Sequence, residues 1–188
     1  MALSLPIAPE ANKLLNRNGL MLLTAMVLDQ QIPLEKAFSS PWVLVERLGH
    51  EPTAAELAGF EPEALAEIFG RTPALHRFPK AMAARVQEVC AMLVERYDGD
   101  PARLWNEAAT GKDLVKRIAE LPGFGKQKSQ IFAALLGKQF GVTPEGWREA
   151  AGVYGEDGSR RSVADIVDQV SLAQVREYKQ SVKAAAKP

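Results

Sequence analysis

The stretch Leu121-Pro122-Gly123-Phe124-Gly125-Lys126-Gln127-Lys128-Ser129 decides how this chain is read. Before it, Leu114, Val115, Ile118 and Leu121 recur at helical spacing. After it, Ile131, Phe132, Leu135 and Leu136 do the same. The pattern predicts a helix, a tight glycine turn and a second helix. Two glycines let the turn backbone take positive φ and come close to a ligand. The second helix then begins with outward-pointing N–H groups and a partial positive charge beside Lys126 and Lys128, which suits a phosphate. The stretch is no nucleotide-binding loop, since it lacks the G-x-x-x-x-G-K-[ST] spacing and no strand pattern precedes it.

The chain has 188 residues, enough for a packed core in one domain or a pair of small lobes. Its net charge is zero and its pI about 6.8, so no basic field covers the whole surface. Nucleic-acid binding would rest on a local patch and would weaken with salt. Cys90 is the single cysteine, which excludes an intrachain disulfide and any cysteine-built zinc or iron–sulfur site. Cys90 falls in an apolar helix stripe and reads as buried packing. With only His50 and His76 besides, no metal centre is expected. Residues 1–9 lack a basic stretch followed by an apolar run, so no secretory signal is expected there. The apolar run 19–28 is too short to cross a bilayer. These features imply a cytoplasmic protein without a membrane partner.

Helix signals dominate and convincing alternating strand patterns are lacking. Asn18 is a capping residue for an apolar, buried helix through Leu20, Leu23, Met26 and Val27 that reaches Gln30-Gln31. Pro33 stands at a helix start, and Pro41-Trp42 reads as the opening of another short helix ending at Gly49. Thr53 with Glu56 forms a capping-box pattern. Glu61-Pro62 starts the next helix, and Met82, Val86, Val89, Cys90, Leu93 and Tyr97 stripe a long one that Asp98-Gly99 breaks. Leu104-Trp105 belongs to a short helix. Past Phe140 the chain is Gly-rich. Ser162–Asp165 reads as a short helix start, and Ser171 as the cap of a last helix over 172–183. The class is all-α.

Three features in this order resemble the helix-hairpin-helix DNA glycosylase superfamily of base excision repair. They are Leu28-Asp29-Gln30-Gln31-Ile32, the helix from Lys80-Ala81 to Leu93, and the hairpin itself. The likeness spans about residues 18–145. It implies a two-lobed all-α helix-hairpin-helix glycosylase fold, one such domain over 1–188. In it the core is 18–145, the hairpin 114–136, and 146–188 an extension packed on the N-terminal lobe. The implied partner is double-stranded DNA, bound by a monomer associated with the nucleoid.

The resemblance also implies roles. Leu121, Pro122, Gly123, Phe124, Gly125, Lys126, Lys128 and Ser129 would hold DNA phosphates, and Gln30 or Gln31 would fill or line the gap left by a flipped base. Superfamily members carry a catalytic Asp some way after the hairpin. Here Glu145, after Pro144, stands in the resembling place without the V-x-R that often follows, while Asp165 or Asp168 could instead fold back into a cleft. Bifunctional members carry a lysine nucleophile at the seventh hairpin position, which is Gln127 here, so no lyase step is expected. No iron–sulfur cluster is expected. A monovalent cation at the hairpin is the one ion the likeness leaves room for. Trp42 and Trp105 read as core, and Trp147, near Glu145, as the base-pocket aromatic. The implied activity is a monofunctional DNA N-glycosylase. The alternative is a catalytically silent DNA-binding protein of the same fold.

Overall fold

The computed structural model describes residues 3–187. Eleven α-helices and two 3-10 turns account for the regular structure, with no strand among the described residues. The all-α class is therefore as the sequence implies.

The chain divides into two compact units. The first holds Ile7–Leu104 with Leu121–Gly123, the second residues 3–6, Trp105–Glu120 and 124–187.

In the first unit lie α1 (Pro9–Arg17), α2 (Gly19–Leu28), α3 (Leu34–Leu48), α4 (Ala54–Gly59), α5 (Pro62–Gly70) and α6 (Pro79–Tyr97). Asn18 caps α2, its side-chain oxygen accepting from the Met21 amide at 3.0 Å. Every residue of α2 from Leu20 to Leu28 is buried, as its all-round apolar sequence requires. α2 ends two residues earlier than the sequence suggests. The Gln30 amide bonds back to the Leu28 carbonyl at 2.7 Å, which turns the chain out of the helix. α3 also differs from expectation: it runs unbroken through Pro41. Pro41 has no N–H for the helix ladder, yet Ala37, Phe38, Ser40, Leu44 and Val45 bury on one face from both sides of it. That shared burial outweighs the missing bond. α6 packs against α4 and α5 through Met82, Ala83, Val86, Val89, Cys90 and Leu93. Burial pushes the Cys90 thiol up to about 12, so it stays an inert packing group.

α7 (Pro101–Asn106) crosses between the units. The second unit is built on the hairpin, α8 (Gly111–Ala119) and α9 (Lys126–Phe140), followed by α10 (Trp147–Ala150), 3-10 turns at Gly152–Tyr154 and Val163–Asp165, and α11 (Gln169–Ala185). The side chain of Trp105 meets Phe132 edge-on at 5.8 Å, and Phe124 lies 6.2 Å from Phe132 on its other flank. Within the second unit α10 packs on α8 and α9, and the turn Val163–Asp165 packs on α9. Glycines make this approach possible. A Cβ on Gly111 would stand 2.4 Å from the Trp147 Cα, and one on Gly155 would stand 2.2 Å from the Arg148 carbonyl oxygen. The cap of α11 is Asp168, with Ser171 as its partner in a capping box, so the helix starts three residues before the place the sequence marked.

Candidate nucleic-acid interface

The hairpin turn is open. Gly123 is exposed at φ +84°, the left-handed region that favours glycine. Gly125 is exposed as the N-cap of α9, with extended backbone and no capping side chain. Nothing lies within 4 Å of the place a Gly125 Cβ would take. The first-turn amides of α9 thus face outward beside exposed Lys126 and half-buried Lys128, whose Nζ lies 5.3 Å from the Phe124 ring. Pro122 is half-buried.

Leu121, Phe124 and Ser129 were expected at this surface, but their side chains are buried. They shape the turn from beneath: Phe124 rests near Phe132, and the Ser129 hydroxyl donates to the Gly125 carbonyl at 2.7 Å. A residue that the sequence did not announce stands over the turn instead. Arg85 of α6 would lie 2.5 Å from a Cβ on Gly123, through Nη1. Its guanidinium also pairs with Glu88 at 3.2 Å. No local pattern links Arg85 to Gly123, since they stand 38 positions apart and only the tertiary fold brings them together.

The two glutamines separate in role. Gln30 is tied down: its side-chain nitrogen donates to the Val27 carbonyl at 3.0 Å, and its backbone carbonyl accepts from His76 Nε2 at 2.9 Å. His76 is buried, and its Nδ1 accepts from the Phe78 amide at 2.9 Å. Nε2 must then carry the proton, which fixes the neutral tautomer. Gln31 is exposed on left-handed backbone at φ 57°, an uncommon conformation for a non-glycine residue. The locked neighbour and the strained backbone present the Gln31 side chain to solvent.

The carboxylates are placed apart. Glu145 is exposed, and its carbonyl accepts from the Gly111 amide at 2.7 Å, at the first residue of α8. One length of α8, about 13 Å at 1.5 Å per residue, separates that anchor from the end leading into the turn. The side chain lines a shallow cavity of about 420 Å³ with Thr110, Lys112 and Glu149. Asp165 is buried and committed to the fold. Oδ1 pairs with Lys138 Nζ at 2.6 Å, while Oδ2 accepts from the Arg161 and Ser162 amides at 2.8 and 3.1 Å. Asp168 caps α11; the bond from the Ser171 amide, then that from the Ser171 hydroxyl, hold its carboxyl below the usual aspartate value.

Trp147 and Asp165 line one cavity of about 440 Å³ with Lys138, Arg148, Arg160 and Thr143. The benzo edge of the Trp147 indole lies on Gly137, and the Arg148 guanidinium sits 4.5 Å from the ring centroid. Gln127 is exposed and its side-chain amide donates to the Tyr154 hydroxyl at 2.8 Å. Among the described residues no group of three or more His, Cys, Asp or Glu side chains could hold a metal ion. No helix there is long and apolar enough to cross a membrane.

Compared with known protein families, curated proteins and solved structures, the chain matches none.

Proposed function

We propose that this protein binds duplex DNA through the hairpin and acts as a monofunctional DNA N-glycosylase of base excision repair. The observation that carries this reading is the open turn, in which exposed Gly125 leaves the start of α9 uncapped beside Lys126 and Lys128, and exposed Gly123 takes a left-handed conformation next to Arg85. Outward amides, a helix N-terminus and nearby cations suit a phosphate and read no base. Flipping a nucleotide out of the stack costs a few kcal/mol. A side chain that enters the gap offsets part of that cost, and Gln31 is the glutamine free to move there, since Gln30 is held by Val27 and His76.

In the hydrolytic step the bond between base and C1′ breaks and its electron pair leaves with the base. The sugar becomes oxocarbenium-like, water adds at C1′, and the water's proton passes by way of solvent to the departing base, which leaves neutral. A carboxylate beside C1′ stabilises the cation and orients the water. Asp165 is buried and Asp168 caps α11, which leaves exposed Glu145 as the carboxylate for that work. Gln127 has no amine to form a Schiff base, so the strand is left uncut.

The test is a panel of duplexes, each with one damaged base, followed by alkali to reveal abasic sites. The wild-type protein is expected to release at least one base, and Glu145→Gln to lose about 100-fold in rate. Borohydride is expected to trap no covalent complex. The alternative, a catalytically silent DNA-binding protein, is favoured by the commitment of Asp165 to Lys138 and the backbone. It requires salt-sensitive duplex binding with no base released from any lesion.

A further inference from the structure

The last helix leaves the body of its unit after Val175. Ser171, Leu172 and Val175 are buried, whereas every residue from Arg176 to Ala185 is exposed. Along that exposed length Arg176, Lys179 and Lys183 recur at i, i+3 and i+7. At about 100° per residue these three fall within roughly 60° of one another around the axis. Lys187 follows just past the helix end. The only acidic residue from 176 to 187 is Glu177, about 100° around from Arg176. In a chain of zero net charge this is a local cationic pole.

Leu172, one turn earlier on the side of the stripe, is buried, while two contacts tie the roughly opposite side of α11 to the preceding loop. Arg160 Nε donates to Gln174 at 2.8 Å, and the Arg161 guanidinium lies 5.7 Å from the Tyr178 ring centroid. The basic stripe therefore faces away from these fastenings. From Arg176 to Lys183 it covers about 10 Å, and a duplex carries about six phosphates over that length of axis.

We infer that α11 is a second DNA-contact surface, on which Arg176, Lys179 and Lys183 engage the phosphate backbone of duplex DNA. This rests on the DNA-binding reading of the hairpin and adds a contact outside it. An anionic membrane is the poorer match: surface-lying helices bury a broad apolar face, and here the exposed apolar side chains on this length, alanines aside, are Tyr178 and Val182 alone, beside Gln180 and Ser181.

The test uses the full chain and an undamaged duplex, with affinity measured by fluorescence anisotropy at several salt concentrations. K179Q/K183Q is expected to lower the slope of log K against log salt by about 2 and R176Q/K179Q/K183Q by about 3, with affinity down at least tenfold at low salt. Circular dichroism and melting should be unchanged, because the substituted positions are exposed. K13Q/K80Q, which removes as much charge as the double variant from exposed sites of the other unit, should leave the slope close to wild type. If the wild type binds and the triple variant keeps its slope, the α11 contact is overturned and the hairpin reading stands. If the wild type does not bind duplex even at low salt, both fall. Binding to phosphatidylserine vesicles that depends on the same lysines and exceeds binding to duplex would also overturn the assignment.

Discussion

A methyl group on Gly137 would stand 2.3 Å from Cζ3 of Trp147. The indole lies against bare helix backbone, in space that no other residue type leaves. This contact, with Gly111 beneath Gly146 and Trp147, seats the loop that carries Glu145 on the hairpin helices. Gly137→Ala is expected to push the indole away and to destabilise the fold by about 2 kcal/mol, in the range seen for overpacking. A melting curve and the Trp147 fluorescence maximum check it. An unchanged melt would mean that the ring moves aside without loss.

Asp165 and Glu145 should respond oppositely to loss of charge. Asp165→Asn leaves the Lys138 ammonium, whose side chain is 13% exposed, without its carboxylate. A broken buried pair costs about 3 kcal/mol. Glu145→Gln alters an exposed group and should leave the melt within about 0.5 kcal/mol. Denaturant titration of the two variants separates a residue that serves the fold from one available for chemistry. A mild Asp165→Asn and a severe Glu145→Gln would reverse the assignment.

The cap of α11 should show a pH signature. Hydrogen bonds from the Ser171 amide and then its hydroxyl hold the Asp168 carboxyl below the ordinary aspartate value of 3.8. A depressed folded value means that the stabilising effect of the cap is complete above the unfolded value. It is lost as pH falls through the lower folded one. The Ser171 amide resonance should therefore stay constant down to about pH 4 and move below it. Asp168→Asn is expected to keep the cap, since asparagine also accepts at this position, and to abolish the pH step. A step that persists in the variant would assign it elsewhere.

The hairpin was legible because its signals are local. Apolar spacing, two glycines and a following Lys-rich start specify helix, turn and helix without reference to the rest of the chain. The cap at Asn18 and the stripe of α6 were legible for the same reason. Pro41 was misread as a helix opening because local propensity gives no measure of the burial of Phe38 and Leu44 on either side of it. α1 carries Pro9 at its first turn and buries Ala11, Leu14 and Leu15, yet its short stripe did not stand out beside the α2 run. Ser171 was taken for the cap of α11 because both Asp168 and Ser171 suit that position, and they share one capping box. Of the site, the exposure of Gly123, Gly125 and Lys126 could be read from the turn chemistry. The burial of Leu121, Phe124 and Ser129 and the arrival of Arg85 depend on tertiary packing. The same is true of the His76 bond to the Gln30 backbone carbonyl, made from 46 positions away.

Gly125→Asp tests the claim on which the rest depends. Its backbone is already extended, no atom lies within 4 Å of the new Cβ, and the uncapped start of α9 suits a carboxylate. The substitution should raise stability by a few tenths of a kcal/mol through capping while placing a negative charge where a phosphate would sit. Duplex affinity measured at low salt in parallel with the melt is expected to fall at least tenfold as the melting temperature rises. A variant that is more stable and binds duplex DNA as tightly as the wild type would contradict the hairpin as the phosphate grip.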